Sequence, residues 1–244
     1  HCVMMPSPYT REESLEDAAA AANMLGVKID TVPIGPAMNA FDEMLLDHFK
    51  GSETGITEEN IQSRSRGLTL MALSNKLGAM VLSTGNKSEM SVGYATLYGD
   101  MCGGYSVLKD VYKMTVFELS KWRNKLRPNG ALGPEGAVMP ERIISKPPSA
   151  ELKPDQKDED TLPPYEELDA ILHGLIEDEA NVQEIASRGF DIDVVMRIWQ
   201  MLDRAEYKRR QAPPGVKIGH RAFGRDRRYP ITNSYKASYQ INNN

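Results

Sequence analysis

The first half of the chain alternates short apolar runs with longer helical stretches, and this alternation limits the fold more than any other feature. The runs HCVMMP, VKIDTVPI and AMVLS each have the length of a strand. Helices are predicted between them, over residues 14–26, 40–49 and 57–78. Ser14 and Thr57 are the expected N-caps, and a glycine ends the first and third helices. Strands and helices alternating at this spacing favour a parallel sheet, so we predict an α/β fold.

The composition restricts the classes of function. The 244 residues include 29 basic and 34 acidic side chains, and a net charge of −5 gives no whole-molecule field that would favour nucleic acid. No apolar run in the sequence approaches the ~20 residues of a membrane span. The cysteines, Cys2 and Cys102, lack the spacing of a metal site or a disulfide framework and are expected to be reduced thiols. We therefore expect a cytoplasmic protein that binds neither nucleic acid nor membrane.

The pattern divides the chain into three parts. Residues 1–127 form the predicted α/β core, and residues 128–163, rich in glycine, proline and charge, are predicted to be a long loop. Residues 164–244 begin with three helical stretches and are predicted to be a helical extension of the same domain. Asp191 is the expected cap of the last helix. Trp122 and Trp199 lie among apolar helical residues and are expected in the core.

The segment STGNKSE, which follows the third apolar run, is the first candidate for a ligand site. Ligands of open parallel sheets bind beyond the carboxyl ends of the strands. Gly85 permits a tight turn and Asn86 tolerates left-handed backbone angles, while Lys87 offers a cation and Glu89 a carboxylate for Mg²⁺ or a substrate hydroxyl. Asn86 separates Gly85 from Lys87, so this is not a Walker loop. Such turns are common, and plain loop chemistry remains the alternative explanation.

Three further stretches carry candidate binding residues. The glycine-rich YGDMCGG, which contains Asp100, must pass close to either backbone or a ligand. ENIQSRSRG places Asn60, Arg64 and Arg66 on one helix, where a solvated charged face is the alternative. YKRRQ places Lys208 near a helix C-terminus, where cations also complement the helix dipole. Taken singly, each stretch has an ordinary structural explanation.

Taken together, the motifs resemble the NAD⁺ synthetases of the glutamine-dependent kind. In order along the chain they are MPSPYT, SLEDA, TEENIQSRSRG, LMALSNK, LSTGNKSEMSVGYATLYGDMCGGYSVLKDVYK, WRN, PPSAEL-PDQ-DED-LPPYEELD and YKRRQAPPGVK. The resemblance implies a Rossmann-like fold of the adenine-nucleotide-hydrolase type, shared by the ATP pyrophosphatases, with a C-terminal helical extension. It also implies the reaction: the carboxylate of nicotinic acid adenine dinucleotide attacks the α-phosphorus of ATP, pyrophosphate leaves, and ammonia displaces AMP to give NAD⁺.

The resemblance also implies ligands and partners. ATP and Mg²⁺ are the expected cofactors, and the ammonia is expected to come from glutamine through a glutaminase domain upstream. A homodimer or a larger homo-oligomer is expected. The implied ATP-binding residues are Thr84, Lys113 and Ser149. The implied dinucleotide-binding residues are Asn60, Arg64, Arg66, Glu89, Tyr94, Asp100 and Lys208, and Glu89 is also the implied metal ligand. No catalytic side chain is assigned, and Leu97 stands where some members have a substrate-binding lysine.

One motif of the family, the pyrophosphate loop S-G-G-x-D-S, does not occur in the sequence. It belongs on a strand–helix unit just before CVMMP, so we expect the chain to be a C-terminal fragment that cannot adenylate its substrate alone. Two alternatives remain at this point. One is a different ATP-pyrophosphatase amidase, similar to GMP synthetase, and the other is a non-catalytic fragment that dimerises.

Overall fold

The computed structural model describes residues 1–232, and its strands form two small parallel sheets. The strands are β1 (Cys2–Met4), β2 (Ile29–Thr31), β3 (Leu82–Ser83) and β4 (Tyr105–Ser106). β1 pairs with β2, and β3 pairs with β4, both in parallel. The predicted parallel α/β arrangement is confirmed, but within the described residues the two pairs are separate sheets and do not form one.

Ten α-helices connect and cover these strands within the described residues. They are α1 (Glu12–Leu25), α2 (Gly35–Phe49), α3 (Ile56–Leu77), α4 (Lys87–Val92), α5 (Lys113–Lys125), α6 (Glu141–Ser145), α7 (Tyr165–Ile176), α8 (Val182–Ala186), α9 (Ile192–Arg204) and α10 (Glu206–Arg209). The predicted long loop, 128–163, contains α6 and a 3₁₀ turn at Asp158–Asp160. Of the predicted helical extension, residues 233–244 lie outside the described residues. No helix in residues 1–232 has both the length and the apolar character needed to cross a membrane.

Three predicted helix boundaries are confirmed. Gly26 ends α1 and Gly78 ends α3, each with left-handed backbone angles (φ 67° and 64°) that cost glycine little. Asp191 caps α9, because its side chain accepts hydrogen bonds from the backbone N–H groups of Asp193 and Val194.

The two predicted N-caps at Ser14 and Thr57 are wrong. α1 already begins at Glu12, which places Ser14 inside the helix, where its hydroxyl donates to the carboxylate of Glu151. α3 begins at Ile56, and the carboxylate of Glu58 accepts the N–H of the residue before the helix. At both helix starts the predicted hydroxyl cap is thus replaced by contacts with an acidic side chain. At α1 it comes from a distant segment, and at α3 from the first turn of the helix itself.

The main hydrophobic core lies in the C-terminal half, where α7, α8 and α9 pack together and against α4. Val195, Ile198 and Leu202 of α9 are fully buried at spacings of three and four residues, which place them on one helix face. The prediction that Trp122 belongs to the core is wrong, because it is 46% exposed on α5, whereas Trp199 packs partly buried against the core.

The glycine-rich stretch YGDMCGG passes close to the backbone of α3. A Cβ built on Gly67 would lie 2.9 Å from the carbonyl oxygens of both Tyr98 and Gly99. A Cβ built on Gly99 would in turn overlap Ser63 on the same helix. The close contact that the glycines predicted is therefore with backbone, and it fixes the position of Asp100 immediately after it.

Replacing Gly67 with alanine is expected to destabilise the fold by about 1–3 kcal/mol, because backbone carbonyls cannot move aside as a flexible side chain would. This loss outweighs the roughly 0.5–1 kcal/mol that alanine normally contributes in a helix. Urea unfolding measures the change. Gly35→Ala is the matched control, because a Cβ there meets nothing within 4 Å. A Gly67→Ala protein as stable as this control would contradict the close contact.

Candidate functional site

A cavity of about 320 Å³ lies between α4, α5 and the segment formed by residues 146–158, which we call the strap. Its wall includes five residues that the sequence assigned to the site: Glu89, Tyr94, Asp100, Lys113 and Ser149. These come from separate parts of the chain, between the start of α4 and the strap. The structure therefore brings together half of the residues that the family resemblance implied.

Glu89 has two contacts that define one edge of the cavity. Asn86 caps α4, since its side-chain oxygen accepts the N–H of Glu89 at 3.0 Å and the Glu89 carboxylate accepts the N–H of Asn86 at 3.1 Å. This reciprocal pair is a capping box. Asn86 has extended backbone angles (φ −92°) and Gly85 is not among the positive-φ residues, so the left-handed angles that these residue types tolerate are not used here.

Lys113 gives the cavity a positive charge opposite this carboxylate. Its Nζ lies 3.3 Å from Oε1 of Glu89, and both side chains are about one-fifth exposed. The ammonium group also lies 5.3 Å from the centre of the Tyr165 ring and 5.7 Å from that of Phe117. A partly buried cation held in this way can bind an anionic ligand group such as a phosphate.

Asp158 is a site residue that sequence analysis missed. It lines the cavity and is 4% exposed. Its Oδ2 accepts a hydrogen bond from the Tyr165 hydroxyl at 2.8 Å, whereas its Oδ1 is buried without a hydrogen-bond partner among residues 1–232. A buried oxygen of this kind is costly unless it is paired, so it marks a position where a ligand donor would bind. In the sequence, Asp158 lies in the acidic run KDED, a pattern that predicts a solvated surface.

The tyrosines around Asp158 are held protonated. Burial, followed by the charge of Asp158, raises the pKa of both Tyr94 and Tyr165. Their hydroxyls therefore act as hydrogen-bond donors at neutral pH.

Asp100 and Ser149 face the cavity from the glycine-rich stretch and from the strap. Burial raises the pKa of Asp100 even though its carboxylate accepts the N–H of Thr96 at 2.7 Å, which favours the charged form. The Ser149 hydroxyl donates to the carbonyl of Gln156 at 2.6 Å and accepts the N–H of Glu151 at 3.1 Å. Both side chains are thus fixed by backbone groups of their own segments.

The three predicted residues of α3 lie away from the cavity wall. Arg64 Nε donates to the carbonyl of Leu97 at 3.1 Å, and Arg66 Nε donates to the carbonyl of Met5 at 3.0 Å. Asn60 is half-buried on the same helix. These arginines connect α3 to the residue just before the glycine-rich stretch and to the residue just after β1, and their binding of a dinucleotide stays a prediction.

Thr84 and Lys208 also lie away from the cavity wall. Thr84 is exposed directly after β3. Lys208 Nζ donates to the carbonyls of Gly93 and Ala95 at 2.7 and 2.6 Å, which fixes the chain between α4 and Asp100. Their roles as ligand contacts likewise stay predictions.

Lys87, the cation of STGNKSE, points into the molecule. It is fully buried, with Nζ 2.5 Å from Glu177, 2.8 Å from Asp110 and 2.9 Å from the carbonyl of Arg221. It borders a second cavity of about 630 Å³ on the far side of α4, with Tyr112 among its other walls. The interpretation of Lys87 as a ligand-binding cation is wrong, because its buried ammonium group is occupied by hydrogen bonds to Glu177 and Arg221 and by the ion pair with Asp110.

One family model and several curated proteins match most of the chain. The family model described as NAD synthase matches residues 1–212. The chain is 53% identical over 234 residues to the glutamine-dependent NAD(+) synthetase of Acinetobacter baylyi, covering 96% of this chain and 42% of that protein. It is also 53% identical to the glutamine-dependent NAD(+) synthetase of Thermotoga maritima, covering 96% of this chain and 39% of that protein. The chain thus spans about two fifths of the length of the curated relatives that it matches.

Solved structures of related proteins also match the chain. The glutamine-dependent NAD⁺ synthetase of Acinetobacter baumannii, in complex with ADP, matches with a TM-score of 0.56 at 48% identity and covers 96% of this chain and 41% of its own. The NMN synthetase of Francisella tularensis matches with a TM-score of 0.66 at 26% identity, covering 84% of this chain and 74% of its own. The chain therefore has the fold of these synthetases, as the motifs predicted.

Proposed function

The chain belongs to the NAD synthase family, and from this we propose that it forms the synthetase part of a glutamine-dependent NAD⁺ synthetase. The proposed reaction adenylates the carboxylate of nicotinic acid adenine dinucleotide with ATP and then replaces AMP by ammonia. The observation that supports it is the cavity where Glu89, Lys113 and Ser149 meet the buried carboxylate of Asp158.

The side chains of the cavity suit this chemistry. The attacking carboxylate is already ionised at neutral pH and ammonia is a competent nucleophile, so the site needs to position its substrates and to stabilise charge. Lys113 supplies a cation for a phosphate, and Ser149 is the second implied ATP contact. The relative from Acinetobacter baumannii was solved with ADP, which supports nucleotide binding. The Asp158 carboxylate, which also interacts with the Tyr94 hydroxyl, would accept a hydrogen bond through Oδ1 from a donor on the substrate or on ammonia.

Magnesium fits this cavity as an ion shared with substrate phosphates. Among residues 1–232 no group of three or more histidine, cysteine or acidic side chains is arranged to hold a metal. Mg²⁺ commonly uses one or two carboxylates together with phosphate oxygens and water. Glu89 would supply the carboxylate, and the bound ion would neutralise phosphate charge. Glu89 itself keeps the start of α4 and the neighbouring Lys113 in place.

We also propose that the protein assembles as a homodimer or a larger oligomer, and that turnover needs the S-G-G-x-D-S loop and an ammonia source. Met44 and Leu46 of α2 and Leu68 of α3 are 69%, 69% and 68% exposed, and α2 packs on α3. Met44 and Leu46 are two residues apart and lie on different sides of α2, which has no buried residue, and a helix that exposes apolar side chains in this way favours an interface.

The binding test compares ligands in a thermal melt. ATP with Mg²⁺ and nicotinic acid adenine dinucleotide are each expected to raise the melting temperature, because ligands that bind only the folded state stabilise it. At a hundred times Kd the stabilisation is about 2.7 kcal/mol. For a chain of this length we expect a rise of about 5 °C or more.

XMP is the control ligand, and it distinguishes the alternative of a GMP-synthetase-like amidase. Nicotinic acid mononucleotide is the second comparison, because one structural relative is an NMN synthetase. A melting temperature raised by XMP and unchanged by the nicotinate dinucleotide would contradict the proposal. Size-exclusion chromatography with light scattering measures the oligomeric state of the same sample.

A further inference from the structure

The strap, residues 146–158, supplies half of the residues that line the site cavity. They are Lys146, Pro147, Pro148, Ser149, Ala150, Glu151 and Asp158. Any movement of the strap would therefore open the cavity and displace its polar groups, Ser149 and Asp158 among them, at once.

The strap has little regular structure of its own to hold it in place. Within it, the N–H of Leu152 donates to the side-chain oxygen of Gln156 at 2.8 Å, and the N–H of Asp158 donates to the carbonyl of Pro148 at 3.0 Å. Two consecutive prolines remove backbone donors near its start. The position of the strap over the cavity thus depends on contacts with the rest of the molecule.

Glu151 makes two of these contacts at the start of α1, and Lys146, also in the strap, makes two more, to Ser14 Oγ at 2.7 Å and to Glu13 at 2.9 Å. Its Oε1 accepts from the Ser14 hydroxyl at 2.6 Å and from Lys146 Nζ at 3.1 Å, and its Oε2 accepts from the N–H of Arg11 at 3.1 Å. Ser14 is 137 residues away in the sequence, so these bonds join the strap to the start of α1. Burial disfavours the charged carboxylate, but the bonds from Ser14, Arg11 and Lys146 outweigh it and lower the pKa of Glu151.

The backbone at Glu151 indicates that these contacts determine its conformation. Its φ is 51°, in the left-handed region that a residue with a long side chain adopts only when its surroundings require it. Further anchors are present at Leu152, whose carbonyl accepts from the buried amide of Gln62 at 2.8 Å, and at Gln156, whose carbonyl accepts from the Arg11 guanidinium at 3.1 Å. These two bonds reach backbone carbonyls that any residue would provide, whereas the bonds from the N–H of Arg11 and from Ser14 need a carboxylate at position 151.

We propose that Glu151 is a positioning residue that fastens the strap to Arg11 and Ser14 and thereby holds Ser149 and Asp158 at the cavity. The identity of the ligand, but not the fastening itself, rests on the proposed function. Glu151 itself lines the cavity, but its carboxylate oxygens are already used by Ser14, Lys146 and the N–H of Arg11.

Hydrogen–deuterium exchange tests the fastening directly. In Glu151→Ala, amides of residues 149–158 are expected to exchange at least about tenfold faster, because a local opening that has lost charge-assisted hydrogen bonds becomes easier. Amides of α9 are expected to keep their wild-type rates. Ser14→Ala removes one of the three donors and is expected to give a smaller change in the same peptide, which covers the case that Glu151→Ala folds poorly.

Glu159→Gln is the matched control, because Glu159 is an exposed acid just beyond the strap. Strap exchange at the wild-type rate in both Glu151→Ala and Ser14→Ala would overturn the proposal. Glu151→Gln keeps an acceptor and is expected to exchange at an intermediate rate.

A kinetic measurement in an active full-length protein connects the strap to the ligand. In Glu151→Ala the KM for ATP is expected to rise about tenfold while kcat changes much less, since the loss lies in forming the closed cavity. Equal falls in kcat and kcat/KM would contradict positioning by the strap. If the wild-type protein binds neither ATP nor the nicotinate dinucleotide, the proposed function fails, and the exchange rates still decide whether Glu151 holds the strap.

Discussion

Replacing Lys87 with methionine is expected to destabilise the protein by about 3–5 kcal/mol, the largest effect on stability that we predict for a single side chain. The ammonium group is fully buried between the carboxylates of Asp110 and Glu177, at 2.8 and 2.5 Å. Methionine has a similar length but no charge, so both carboxylates would remain buried without their cation. Breaking a buried ion pair on one side costs far more than the pair contributes as a whole.

Urea unfolding followed by circular dichroism measures this loss of stability. Lys121→Met is the matched control, because Lys121 forms an ion pair of similar length, 2.9 Å to Glu118, on the exposed surface of α5. That substitution is expected to leave the free energy of unfolding nearly unchanged. Adding Asp110→Asn to Lys87→Met removes one uncompensated charge and is expected to restore part of the stability. Equal effects of the Lys87 and Lys121 substitutions would show that the buried cluster is not what stabilises this region.

The difference between the expected and the observed role of Lys87 shows what local sequence can determine. The segment STGNKSE correctly indicated a polar turn after β3, but the short helix α4 that begins at Lys87 was not predicted. It could not indicate which side chains of that short helix face the cavity. α4 directs Glu89 to the cavity and Lys87 into the protein, and only the packing of α7 and the C-terminal segment, which supply Glu177 and Arg221, decides this.

Long-range contacts explain why the sequence did not predict the roles of Asp158 and Ser14. The glycine ends of α1 and α3 and the cap at Asp191 follow from local patterns, and these predictions are confirmed. Asp158 is buried only because Tyr165 and the strap enclose it, although its acidic neighbours suggest solvent. Ser14 lost its expected cap role because a carboxylate 137 positions away binds it. Burial and pairing of this kind depend on the folded chain and cannot be derived from a window of residues.

The two small sheets also show that the contacts between distant segments cannot be predicted from local sequence. Parallel pairing follows from the alternation of strands with helices, and the register Cys2 with Ile29 and Leu82 with Tyr105 confirms it. The number of strands that join one sheet depends on contacts between distant segments. Motifs in order along the chain identified the family, which no single motif could do, because each has an ordinary structural explanation.

Replacing Glu89 with glutamine is expected to lower turnover on the order of a hundredfold or more in an active full-length protein, while stability stays nearly unchanged. The two roles of Glu89 separate in this variant. Glutamine keeps the side-chain oxygen that accepts the N–H of Asn86, so the capping box of α4 survives. It loses the negative charge that faces Lys113 at 3.3 Å and that we propose for Mg²⁺. Ammonia-dependent formation of NAD⁺ at saturating ATP measures turnover, and a thermal melt of the same sample measures stability.

The chain offers a close control for this prediction, because Asn181 and Glu184 form the same capping box at the start of α8. The N–H of Asn181 donates to the Glu184 carboxylate at 2.8 Å, and the N–H of Glu184 donates to Asn181 Oδ1 at 3.0 Å. Glu184 is exposed and lies outside the residues that line the site cavity, so Glu184→Gln is expected to leave both turnover and melting temperature unchanged. If Glu89→Gln behaves in the same way, Glu89 serves only to cap α4, and the negative charge at the cavity has no part in the reaction.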